Sequence, residues 1–145
     1  MPLVFCDVNV LLNAHLPRLK HHAVCRAAVL DVLARDEPFA ISELVLAAVV
    51  RLATNPRIFQ PPASPQTAFA FADTLRRHPH ALIVSAGGRH WDIFQDLVLS
   101  NEITGSDTTD AYLAALALEH GCAWWTTDAG FGRFAGLRWR NLLER

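Results

Sequence analysis

The sequence predicts a three-layer α/β/α domain built on a central, mainly parallel sheet of about five strands. Three observations carry this. Short apolar runs alternate with helical patterns along the whole chain. The runs lack the in-out alternation of a half-solvated sheet, as expected of strands covered on both faces. The 145 residues, 52% hydrophobic and 19% charged, suffice for one packed core, so residues 1–145 read as a single domain.

Leu3–Cys6 is the first strand-like run, and Asp7 follows it directly, ahead of a mostly apolar stretch from Val8 to Leu12 broken by Asn9. Residues 22–35 carry Ala23, Val24, Ala27, Leu30, Leu33 and Ala34 at helical spacing. Phe39–Ile41 is a second strand, and Ser42 opens a helix that Asn55-Pro56 stops. The proline-rich stretch from Asn55 to Pro65 reads as a surface loop. Ser64-Pro65 then caps a helix reaching His78. Ala81–Ser85 is a third strand, turned by Gly87-Gly88 into a helix over residues 89–100. Asp107–His120 is a strongly apolar helix ended by Gly121. Cys122–Thr126 is a fourth strand, and Leu137–Asn141 after a turn-rich loop a fifth.

The composition excludes several classes. The longest apolar runs, Leu44–Val50 and Ala111–Leu118, fall far short of the roughly 20 residues of a membrane span. No signal peptide is read at the start, and Cys6, Cys25 and Cys122 lack metal or disulfide spacing. A cytoplasmic protein with buried thiols is the expectation. Thirteen basic against fourteen acidic residues leave a net charge of −1, so nothing global advertises nucleic acid.

The acids are more telling. Asp7 closes the first strand, Glu43 lies just past the second, Asp128 just past the fourth, and Asp110 starts the helix before the fourth. Ligands of parallel sheets bind beyond the carboxyl ends of the strands. Four carboxylates gathered there raise one another's pKa, which a divalent cation relieves, and an all-oxygen set suits magnesium, with manganese as a substitute. Asn9 and Thr126 offer an amide and a hydroxyl at the same strand ends. Each acid also has a plain structural reading as a helix cap or turn residue, Asp107 being a better cap than Asp110.

These residues resemble the PIN-domain ribonucleases, and within them the VapC toxins of bacterial toxin–antitoxin pairs. The similarity runs through Asp7-Val8-Asn9-Val10-Leu11-Leu12, Ser42-Glu43, Arg51 to Phe59, Arg89-His90-Trp91, Asp110 to Ala115, Thr126-Thr127-Asp128 and on to Trp139. The resemblance implies a magnesium-dependent endoribonuclease of the PIN fold, with Asp7, Glu43, Asp110 and Asp128 as the acid quartet. It implies cleavage of structured RNA (tRNA or rRNA), silencing by a VapB-like antitoxin, and a homodimer. Many relatives carry a further acid where this chain has Gly130. Arg133, Arg138 and Arg140, with Arg18 and Lys20, are candidate phosphate contacts. The all-apolar stretch Leu44–Val50 is either fully buried or meets another chain.

The seven histidines, at positions such as His15, His21, His22 and His90, read as surface or packing residues. Trp124 and Trp125 read as core, with Trp91 and Trp139 open. A catalytically inert PIN-like interaction module is the non-enzymatic alternative. An aspartate-nucleophile phosphatase is a poorer one, since it needs a second aspartate at Asn9 and a late lysine, whereas Lys20 is the only lysine. Ser85-Ala86-Gly87-Gly88 lacks the full spacing of a phosphate loop.

Overall fold

The computed structural model describes residues 2–144. Five parallel strands form one sheet in the order β3-β2-β1-β4-β5: β1 is Val4–Cys6, β2 Phe39–Ile41, β3 Ala81–Ile83, β4 Ala123–Thr126 and β5 Arg138–Asn141. The strands are short because only a narrow central band is covered on both faces. Phe5 and Trp124 there are almost inaccessible to solvent and meet edge to face at 4.9 Å.

Helices α1 (Val8–His15) and α2 (His22–Ala34) connect β1 to β2, and α3 (Glu43–Ala53) and α4 (Pro65–Arg76) connect β2 to β3. Helices α5 (His90–Ser100) and α6 (Thr108–Glu119) carry the chain back across the sheet to β4. The first two connections step outward in one direction and the third steps back over β2 and β1 in the other. Parallel crossovers are right-handed, so the first four helices cover one face and α5 and α6 the other, giving the three expected layers. Packing agrees: α1 lies on α2 and α3, α3 on α4, and α5 on α6. The direction reverses between β1 and β4, which makes their carboxyl ends the switch point of the sheet.

Several local expectations change. Val8–His15 is a helix capped by Asp7 and not a continuation of strand-like chain. It buries Val10, Leu11 and Ala14, and an eight-residue helix this apolar has the pattern of a buried strand. Ser64 caps α4 by accepting from Thr67 N at 3.1 Å, as its sequence signature indicates. Ser42 and Asp107 stand at the N-cap positions of α3 and α6 without a capping side-chain bond. Leu44 is 52% exposed, so α3 is not wholly buried. Trp124 and Trp125 are core residues, while Trp91 is exposed and Trp139 half-buried. His90 is buried, packed on Tyr112 and Phe94, with its Nε2 against Tyr112 O at 3.0 Å. Cys25 and Cys122 are buried free thiols, each pushed up to about 11 by burial, and Cys6 is a half-buried free thiol. No described helix is long and apolar enough to cross a membrane.

Candidate active site

Asp7 sits where β1 ends and α1 begins, and only 5% of it is accessible. Its Oδ1 accepts the Val8 amide at 2.7 Å, and its Oδ2 accepts the Thr126 hydroxyl at 2.7 Å. Thr126 Oγ1 in turn accepts the Asp128 amide at 3.0 Å. One hydroxyl thus ties the first acid to the backbone of the last, across the switch point. Asn9 adds a second tie, its Oδ1 accepting Thr127 N at 3.3 Å.

Asp128 leaves β4 with an Asx turn, its Oδ1 accepting Gly130 N at 2.8 Å. A Cβ at position 130 would lie 3.0 Å from that oxygen, so any side chain there would require the Asp128 carboxylate to give by a few tenths of an ångström. Asp110, in the first turn of the half-buried start of α6, is the third acid of the group.

The electrostatics link the three aspartates. Burial holds the Asp7 carboxyl up at about 6, against the hydrogen bonds from Thr126 and Val8, with the charges of Asp110 and Asp128 adding to the rise. Asp110 is also raised, first by burial and then by Asp128 and Asp107, with Arg133 opposing. No cation pairs with Asp7 among the described residues. Such a buried, unneutralised carboxylate with two others acting on it is poorly stable alone and offers the oxygen donors that a hard divalent cation takes.

Glu43 stands apart from this group. It is exposed in the first turn of α3, its Oε2 bound by Arg76 Nε and Nη2, each at 2.9 Å. Asp110 is also engaged: Arg133 Nη2 reaches its Oδ2 at 3.3 Å, and Arg133 Nη1 lies 3.9 Å from Asp107 Oδ2. Among the described residues, no three His, Cys, Asp or Glu side chains are drawn together closely enough to hold an ion. Hydrogen bonds thus tie Asp7, Thr126, Asn9 and the backbone leading to Asp128 together at one edge, while Asp110, near enough for its charge to act on Asp7, is turned toward Arg133, and Glu43 toward Arg76.

The other candidate cations divide. Arg140 lies over Trp125 at 4.9 Å, but Arg138 begins β5 opposite Ala123, at the far end of the sheet from the acids. Its expected place beside the Asp128 loop is thus corrected: residues that start a parallel strand lie away from the residues that end its neighbour. Arg18 is spent on the carbonyls of Gln60 and Pro61.

A fold with this strand order and an acidic switch point belongs to a known class. The PIN domain family model matches residues 4–137, and the chain belongs to the PIN-domain family, on its VapC ribonuclease branch. It is 42% identical over 138 residues to ribonuclease VapC43 of Mycobacterium tuberculosis, covering 95% of this chain and 94% of the relative. It is 41% identical over 132 residues to ribonuclease VapC25 of the same organism, covering 91% and 93%. Among solved structures it is similar in fold to a chain of VapBC2 from Rickettsia felis bound to a promoter DNA fragment. The TM-score there is 0.68 at 15% identity, over 95% of this chain and 97% of the other.

Proposed function

We propose that residues 1–145 act as one PIN domain, a metal-dependent endoribonuclease that serves as the toxin of a type II toxin–antitoxin pair. One observation carries this reading: Asp7, Asp110 and Asp128, from distant segments, share one electrostatic environment at the carboxyl edge between β1 and β4. The names of the relatives support the substrate class.

Asp7, Asp110 and Asp128 would hold magnesium, or manganese in its place, with Glu43 joining as a fourth acid once released from Arg76. A bound divalent ion supplies an acidified water and neutralises charge developing on phosphorus. The chain's own residues do the positioning. Thr126 fixes the Asp7 carboxylate, Asn9 fixes the backbone leading to Asp128, and buried Phe131 holds the loop behind it. Attack by water on phosphorus breaks the bond to the 3′ oxygen and leaves a 5′-phosphate and a 3′-hydroxyl. A route through the 2′-hydroxyl needs paired histidines, and none of the hydrogen bonds at Asp7 or Asp128 involves one.

Two surfaces support partners. An apolar groove between α3 and α4, lined by Ala47, Val50, Phe69 and Ala72, opens beside Glu43 and Arg76, and we assign it to a VapB-like antitoxin helix. A second apolar band runs from Ile83 through Leu44, Tyr112 and Phe94 to Leu99 and suits a second copy of the chain. The spacing of the acids is compatible with the inert-module alternative, but a binding surface has no use for a buried carboxylate such as Asp7, which no cation pairs with among the described residues. Expression of wild type, Asp7→Asn and Asp110→Asn, with 5′-end sequencing of cellular RNA, tests the activity. Growth arrest and new 5′-phosphate ends with the wild type alone are expected; arrest that survives both substitutions would refute the reading.

A further inference from the structure

We propose that Arg133 is a shuttling counterion: it neutralises Asp110 while the acidic site lacks its metal and turns to the RNA phosphate once the metal is bound. The inference rests on the metal-nuclease reading above and adds a substrate-contacting residue to it.

The backbone around Arg133 is fixed. Phe131 and Phe134 on either side are buried, and Gly132 lies flat on Trp139, where a Cβ would stand 2.7 Å from the ring. The guanidinium itself is partly exposed, resting 5.0 Å from the centre of the Phe134 ring. An anchored base with a long solvated side chain can change partners without moving the loop.

Its present partners are those of a stand-in cation. Asp107 and Asp110 flank the first turn of α6, where the helix dipole favours anions and repels an arginine. Arg133 stays there because the unneutralised carboxylates outweigh that repulsion. A divalent ion among Asp7, Asp110 and Asp128 removes this attraction and adds like-charge repulsion beside the guanidinium. The released side chain then stands at the rim of the site, with the planar fork suited to a phosphodiester. The ordinary alternative, a surface ion pair of no consequence, leaves unexplained why the one arginine on this loop engages a site acid.

The experiment compares wild type with Arg133→Gln, Arg133→Met and Arg133→Lys. Calorimetric titration with Mn2+ alone, in the absence of RNA, is set beside kcat and KM for RNA cleavage. Removing the competing cation should tighten Mn2+ binding in Gln and Met roughly 3- to 10-fold, the scale for an exposed charge a few ångströms from a divalent ion. The same variants should lose at least about 10-fold in kcat/KM, mainly through KM, because a phosphate contact is missing. Lysine should lie between on both axes. Thermal unfolding of the metal-free variants, within about 3 °C of wild type, establishes an intact fold for an exposed pair. Mn2+ affinity unchanged or weakened in Gln and Met, or tightened with unaltered kcat/KM, overturns the shuttle and leaves the nuclease standing. A wild type that neither binds Mn2+ nor cleaves RNA overturns both.

Discussion

Replacing Asp7 by asparagine should make the metal-free protein more stable at pH 7.5 while abolishing its activity. The Asp7 carboxyl titrates near 6 in the fold against an ordinary 3.8. Its native state therefore holds a proton that the unfolded chain releases, and stability falls as pH rises through that window. Roughly two pH units at about 1.4 kcal/mol each put the full cost near 3 kcal/mol at pH 7.5. By pH 4.5 only about 1 kcal/mol of it has developed. Asparagine removes the charge and caps a helix as well as aspartate. Its oxygen can still accept the Val8 amide, but its NH2 must face Thr126, so the hydroxyl loses its acceptor at a cost of about 1 kcal/mol. The net gain is about 2 kcal/mol at pH 7.5, or about 4–8 °C for a chain this long, and about zero at pH 4.5. Thermal unfolding in EDTA at the two pH values, followed by tryptophan fluorescence, reads both. A variant less stable than wild type at pH 7.5, or equally stabilised at both pH values, would refute the account of Asp7 as a carboxylate waiting for a cation.

Metal should act in the opposite sense. Magnesium at about 100 times its dissociation constant should stabilise the wild type by about 2.7 kcal/mol, and Asp7→Asn by almost nothing, in the same melts. On the apolar band, Leu99 is 68% and Trp91 66% exposed, so Leu99→Glu or Trp91→Glu should change stability by under about 0.5 kcal/mol. Light scattering should nonetheless show a dimeric wild type become monomeric in either variant. In the α3–α4 groove, Phe69 is 55% exposed, and Phe69→Asp should weaken neutralisation by the co-expressed antitoxin while leaving RNA cleavage by the free toxin intact.

The strands were legible as short runs set between helical patterns; β2 keeps its expected bounds, and the other four are trimmed by one or two residues. Helix α1 was not legible, since an apolar run as short as Val8–Leu12 is too brief for its period to tell helix from strand. In the site, the placement of Asp7, Asp128 and Asp110 followed from strand direction alone. What the sequence hid is pairing across distance: Thr126 with Asp7, Arg76 with Glu43, Arg133 with Asp110. Each depends on side-chain reach between segments far apart in the chain, for which local pattern holds no signal. Arg138 is different, because strand polarity already put the first residue of β5 at the far edge.

Cap and ligand, the two readings open in the sequence for Asp7, Glu43, Asp110 and Asp128, do not exclude one another. In a parallel sheet each strand's carboxyl end feeds a helix N-terminus on the same edge, so the place that gathers metal-binding acids is also lined by positive helix ends. Asp7 caps α1, and Glu43 and Asp110 stand in the first turns of α3 and α6. Those helix ends, together with Arg76 on Glu43 and Arg133 on Asp110, offset part of the site's negative charge while it holds no metal. The two roles separate under mutation. Asparagine at position 7 keeps the cap and removes the charge, whereas alanine removes both and strands the Thr126 hydroxyl and the Val8 amide in a buried site. Asp7→Ala should therefore be destabilised where Asp7→Asn is stabilised, although both lose catalysis. If the two variants instead melted alike at pH 7.5, capping by Asp7 would contribute nothing, and the acids would owe their positions to the metal alone.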